Sequence, residues 1–160
     1  MLSAGVMRWI CMEVKVTKDV KITVKGVHRD AETEISRMEI SVPGEYFFKN
    51  GSHYIFYEET EEGSGTSVKN SLKLKGNLLE LNRKGAVNSR MVFETGKSHV
   101  VDYATPFGML RMETATSRIL YTEEENHLQI RAEYELWMDG AKVSSCRLTV
   151  KIEPLIKDIA

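Results

Sequence analysis

Between Met12 and Ile152 the chain is built from short runs in which apolar and polar residues alternate, broken by glycine, asparagine, aspartate and proline. A period of two puts successive side chains on opposite faces of an extended strand, and no stretch carries the spacing of an amphipathic helix. An antiparallel all-β shell is therefore expected, with short helices or none. The first run is the clearest. Val14, Val16, Val20, Ile22 and Val24 share one parity, while Lys15, Thr17, Asp19, Lys21, Thr23 and Lys25 take the other, so one face is core and the other water. Lys18 interrupts the inward set, and a β-bulge or bend is expected near Lys18 and Asp19.

From Glu32 to Val42 the inward parity is Met38, Ile40 and Val42, and Pro43-Gly44 then reads as a turn. Tyr46, Phe47 and Phe48 lead to Asn50-Gly51, a pair that tolerates the positive φ of a type I′ hairpin turn, with His53 to Glu61 as the return strand. Further strands are expected at Val68 to Lys75, Leu78 to Lys84, Asn88 to Glu94, Ser98 to Thr105, Met109 to Thr116 and Arg118 to Glu123. Leu128, Ile130, Ala132, Tyr134, Leu136 and Met138 form the inward stripe of a long strand that turns at Asp139-Gly140. On the last strand Leu148, Val150 and Ile152 point inward, and Arg147, Thr149 and Lys151 outward. Some eight to ten strands with short connections predict a single closed up-and-down barrel, because closure removes exposed edges. At that size the interior holds either side chains or one small ligand.

Nothing divides the chain. It has three prolines, Pro43, Pro106 and Pro154, and no low-complexity tract, so one barrel domain over 12–153 is expected, with an N-terminal extension at 1–11 and a tail at 154–160. Arg8 interrupts the apolar residues of the first segment, which is too short to span a membrane and lacks the order of a signal peptide. Met1, Met7 and Met12 are alternative starts. The 22 Lys plus Arg and 23 Asp plus Glu are interspersed, which argues against a nucleic-acid partner. Two cysteines, Cys11 and Cys146, make no disulfide framework and fit a reducing cytoplasm.

Recognisable catalytic chemistry is missing from the pattern. His28, His53, His99 and His127 are far apart and read as exposed or turn-flanking, and the runs Glu58 to Glu62 and Glu123 to Glu125 abut turns. There is no nucleophile elbow, and Cys146 lies on the inward parity, where a cysteine behaves as a small hydrophobe. Gly63-Ser64-Gly65 is too short to cradle phosphate. No catalytic residue, metal or cofactor is expected. What stands out is that inward stripes end in polar residues near turns: Leu79, Leu81, Arg83, then Ser89, Met91, Phe93, then Val101, Tyr103, Thr105. If those turns share one mouth of the barrel, Arg83, Ser89, Met91, Tyr103 and Thr105 converge there with Glu59 and Tyr134 as a small-ligand site. The plainer alternative is that Arg83 pairs with Glu59 or turn carbonyls and closes the barrel end.

Tyr54, Tyr57-Glu58-Glu59-Thr60, the block Arg83 to Glu94, Thr105 to Leu110 and the Tyr134 to Gly140 hairpin resemble the YwiB-like family, DUF1934, described for bacteria of the Firmicutes. The likeness runs from about Lys21 to Lys151. It implies a calycin-type, lipocalin-like barrel and, as the family has no established activity, no functional residue to transfer. A true lipocalin's Gly-x-Trp is not present, since Trp9 lacks a preceding glycine and Trp137 sits in the penultimate strand. Three functions follow as expectations. The first is binding of a small, partly apolar ligand in the barrel, with Arg83 for an anionic head group. The second is an interaction module, monomeric or homodimeric, with a filled barrel and Trp137 as a contact. The third is an isomerase or hydrolase using Glu59 or Tyr103 as acid or base. No membrane partner is expected.

Overall fold

A computed structural model describes residues 18–30, 34–60, 63, 65–85 and 88–155, without the side chains of Lys18, Tyr103 and Ala104. Ten strands follow one another: β1 Lys18–Asp30, β2 Ile35–Lys49, β3 Ser52–Thr60, β4 Ser67–Lys75, β5 Leu78–Gly85, β6 Ser89–Glu94, β7 Lys97–Thr105, β8 Gly108–Glu124, β9 His127–Met138 and β10 Ala141–Pro154. No helix occurs among the described residues. The expected extension at 1–11, the parity of Val14 and Val16, and Cys11 lie outside them.

All pairings are antiparallel, in the order β6-β5-β4-β3-β2-β1-β10-β9-β8-β7, so the first and last strands meet and the sheet wraps into a nearly closed barrel. The inward parity is as expected: Val20, Ile22 and Val24 on β1, Leu72 and Leu74 on β4, Leu128, Ile130 and Ala132 on β9, and Val150 and Ile152 on β10 are all buried. Phe93, Ile22, Ile55, Leu72, Leu74, Leu79, Ile130 and Val150 are fully buried and fill the interior. The tight turns use the chemistry expected of them, with Asn50 and Gly51 at φ 53° and 79° and Asp139 and Gly140 at 49° and 83°.

Closure is incomplete at one seam. Among the described residues β6 pairs only with β5 and β7 only with β8. Across the gap Thr114 Oγ1 on β8 donates to the Val92 carbonyl at 2.6 Å, and His99 Nε2 meets Glu94 Oε1 at 2.8 Å. A β8 side chain thus holds a β6 carbonyl that a β6–β7 ladder would otherwise use.

Several expectations are corrected. Pro43-Gly44 is not a turn, because β2 runs straight through it. The β2–β3 ladder begins only at Gly44, so the missing N–H of Pro43 falls where that side of β2 has no partner strand. Gly44 is needed there: a Cβ would lie 2.2 Å from Ile22 Cδ1 and 2.4 Å from the Phe56 carbonyl oxygen. Likewise β8 is one strand, not two, with a bulge between Thr116 and Arg118 whose extra residue, Ser117, donates to the Glu133 carbonyl at 3.0 Å. No bulge marks Lys18 and Asp19, whose pairing with Tyr46 and Glu45 is in regular register, and the other bulge lies between Lys142 and Ser144. Met38 is 46 % exposed despite its inward parity, since β2 there has run past β3. Thr23 and Thr149, on the outward parity, are buried. They are flanked in register by Lys151, Lys25 and Arg131, whose long stems can cover a small neighbour.

Candidate functional site

The residues expected to gather at one mouth divide into separate groups. Glu59 on β3 and Arg83 on β5 do come together, at 3.3 Å, over the intervening β4. There Asn70, 3 % exposed, takes the Arg83 Nε–H on its Oδ1 at 3.1 Å and returns its own amide to the Val68 carbonyl at 3.4 Å. Tyr57, opposite Asn70, is buried, and its phenol is held protonated by that burial, reinforced by the Glu59 charge. Arg83 therefore already has a carboxylate and an amide oxygen as acceptors.

Ser89 lies opposite Arg83, and Met91 opposite Leu81, where it packs on the core. The Thr105 hydroxyl donates to the Gly108 carbonyl at 2.7 Å and accepts from the Phe107 amide at 3.2 Å, so it caps its own exposed turn. Tyr103 is opposite Leu110 on β7, and its side chain is outside the described residues. Tyr134 belongs elsewhere: its ring packs 4.6 Å from Phe93, and its hydroxyl meets Cys146.

Two buried clusters were not anticipated. Thr116, Tyr134, Cys146 and His28 form one cross-strand row over β8, β9, β10 and β1. Cys146 Sγ lies 3.1 Å from both His28 Nδ1 and Ser144 Oγ, and burial pushes its thiol above the ordinary range, which leaves it protonated and unreactive. At the opposite end of the inner stripe, Tyr46, His53 and Glu123 form a chain, with Tyr46 Oη 2.8 Å from His53 Nδ1 and His53 Nε2 3.0 Å from Glu123 Oε1. His53 flanks the Asn50-Gly51 turn but is buried, not exposed, and burial pushes its pKa down to about 4.

An open space lies on the outer wall. A cleft of about 820 Å³ is lined by residues of six adjacent strands, including Val27 and Arg29 of β1, Arg37 of β2, Glu133 of β9 and Arg147 of β10. Most of the lining, including these five residues, carries the parity opposite to the core, and Thr116, Tyr134 and Cys146 of the inward row also border the cleft. Gly96 of the β6–β7 turn, with Lys97 and Ser98 at the start of β7, closes one side. The Glu133 carboxyl is held below its usual range by its hydrogen bond from Arg118 at 2.8 Å, so it remains charged.

The sequence profile described as domain of unknown function, DUF1934, matches residues 22–150, which spans the strands that build both the Arg83 cluster and the cleft. The chain belongs to the DUF1934 family. It is 27 % identical over 142 residues to the uncharacterized beta-barrel protein YwiB of Bacillus subtilis (strain 168), covering 88 % of this chain and 94 % of that protein. The crystal structure of the ywiB protein from Bacillus subtilis superposes with a TM-score of 0.72 at 25 % identity, over 89 % of this chain and 98 % of the other. The DUF1934 barrel is thus seen in a solved relative.

Within this DUF1934 chain, parity marks three of the buried polar residues. Asn70 follows Val68 and precedes Leu72 on an inward stripe, His53 precedes Ile55 and Tyr57 on another, and His28 continues the set of Val20, Ile22 and Val24. A polar residue on a buried stripe needs a partner, and each of these has one. The cleft left no such signal, because residues of six strands line it and only the pairing order brings them together.

Proposed function

We propose that the protein binds a small molecule, and that the ligand lies in the cleft on the barrel wall, not inside the barrel. The carrying observation is the 820 Å³ cleft itself, within the size range of small-molecule sites and lined by both apolar and charged side chains. Fully buried Phe93, Ile55, Leu79 and Ile130 occupy the barrel interior. Arg83, first assigned to an anionic head group, is engaged by Glu59 and Asn70. The cytoplasm is the setting we propose, on cysteine usage alone.

Thermal unfolding with a panel of small organic acids, phosphates and neutral analogues tests this. A ligand at 100 times its Kd adds about 2.7 kcal/mol of stability, or roughly 5–10 °C in Tm at this chain length. Ser145→Trp, which places a bulky ring on an exposed residue lining the cleft, is expected to abolish that shift without touching the core. A ligand that still binds the variant with unchanged affinity would place the site elsewhere.

One observation favours a second reading, an interaction surface. Val100, 52 % exposed, begins the cross-strand row Val100, Glu113, Trp137 and Lys142 on the outer faces of β7 to β10, and Val143, 43 % exposed, follows Lys142 at its other end. A concentration-dependent mass in light scattering that Val143→Glu removes would support it.

A further inference from the structure

Resting on the cleft reading, we infer that the ligand is a small organic anion whose carboxylate or phosphate sits between Arg29 and Arg37, with its apolar part against Val27 and Ile35. The charges lining the cleft lead to this by elimination. They are Arg29, Arg37, Lys97, Arg147, Glu133 and Glu135. Glu133 is engaged by Arg118 at 2.8 Å and Arg147 at 3.6 Å, and Glu135 by Lys142 at 3.4 Å. Lys97 has its own carboxylate, Glu94, at 3.2 Å. Arg29 and Arg37 have no carboxylate partner among the described residues, which leaves two positive charges uncompensated at the β1–β2 end of the cleft.

Register places those two guanidinium groups on one patch. Val27 pairs with Arg37 and Arg29 with Ile35, so the arginines are diagonal neighbours on adjacent strands, with about 7–8 Å between their Cα positions. Arginine side chains are long enough to close that gap around one anionic group, and the planar fork presents paired N–H donors that match carboxylate or phosphate oxygens. The other two corners of the same square are apolar, with Val27 half-buried and Ile35 43 % exposed. An anionic group joined to a short apolar body fits such a patch. Six strands span about 24 Å, which bounds the ligand's length to a small molecule.

Calorimetric titration with matched pairs tests the assignment: octanoate against octanamide, and phenyl phosphate against phenol. The anion of at least one pair is expected to bind at least tenfold tighter than its neutral analogue, and to weaken as salt is raised. Arg29→Ala and Arg37→Ala should each reduce its affinity about tenfold, while Arg90→Ala, an exposed arginine paired with Glu80 and outside the cleft, should leave it unchanged. Equal binding of neutral analogues, or anion binding indifferent to both cleft arginines, overturns the anion assignment and leaves the cleft reading standing. Binding indifferent to Ser145→Trp overturns the cleft reading instead, and no binding of any probe overturns both.

Discussion

His53 shows how much one residue's surroundings dictate. Its pKa is pushed down to about 4 by burial, so the ring is neutral at pH 7 and only one nitrogen carries a proton. An ionised Glu123 can only accept, so Nε2 donates to it and Nδ1 accepts from the Tyr46 hydroxyl. The consequence is a pH dependence whose sign is fixed. In the unfolded chain a histidine titrates near 6.5. Below that value the unfolded state takes up a proton that the folded state refuses, so stability is intact above about 6.5 and is lost as pH falls towards 4. The full effect is about 3 kcal/mol at most. His53→Gln keeps a donor for Glu123 and an acceptor for Tyr46 but does not titrate. Its Tm should fall less than that of the parent protein between pH 7 and pH 4.5, and parallel curves would show that His53 does not titrate on unfolding in this window. Which inward residues are apolar was legible from parity alone. Which polar ones share that face, Asn70, His53 and His28, was legible too, but their partners Glu123 and Cys146 lie far away in sequence and become neighbours only through folding.

At the scale of the element, the sequence misled where local turn chemistry and tertiary packing disagree. Pro43-Gly44 has the composition of a turn, yet it lies inside a 15-residue strand because β2 parts from β3 at that point, which tolerates the proline and requires the glycine. Thr116 to Arg118 reads as a break in alternation, and alternation breaks in the same way at a bulge as at a strand end. Two glycines on paired strands separate these causes. Gly44→Ala puts a methyl within 2.4 Å of a backbone carbonyl that cannot move aside, and should cost about 2 kcal/mol, or roughly 4–8 °C in Tm. At Gly26 the nearest atoms to an added Cβ are the Met38 and His28 side chains, at 3.6 Å and 3.7 Å. Gly26→Ala should therefore be neutral or stabilising by up to about 1 kcal/mol through the reduced freedom of the unfolded chain. Thermal denaturation of the two variants side by side reads the difference, and equal losses would refute the crowding at Gly44.

At the scale of the whole fold, the described residues form a ring of ten strands joined everywhere except between β6 and β7. A closed barrel was the natural expectation from strand number, since closure leaves no edges. Alternation reports which side of a strand is buried, though, and carries no information on which strand is its neighbour, so the seam was not legible. Thr114 makes the seam tolerable. Its side chain is buried, and its hydroxyl donates to the Val92 carbonyl at 2.6 Å, satisfying an acceptor on the open side of β6. Thr114→Val keeps the shape and removes the donor, leaving a buried carbonyl without it, which costs about 1–3 kcal/mol. Because β6 is held by one ladder while β1 is held by two, that loss should appear as local opening before it appears as global unfolding. In hydrogen exchange the amides of Met91 to Phe93 should exchange about tenfold or more faster in Thr114→Val, while those of Ile22 to Val24, laddered to β2 and β10, change no more than the global stability does. A uniform acceleration across both regions would mean that the seam opens only with the whole barrel, and that Thr114 stabilises the fold without acting as a local latch.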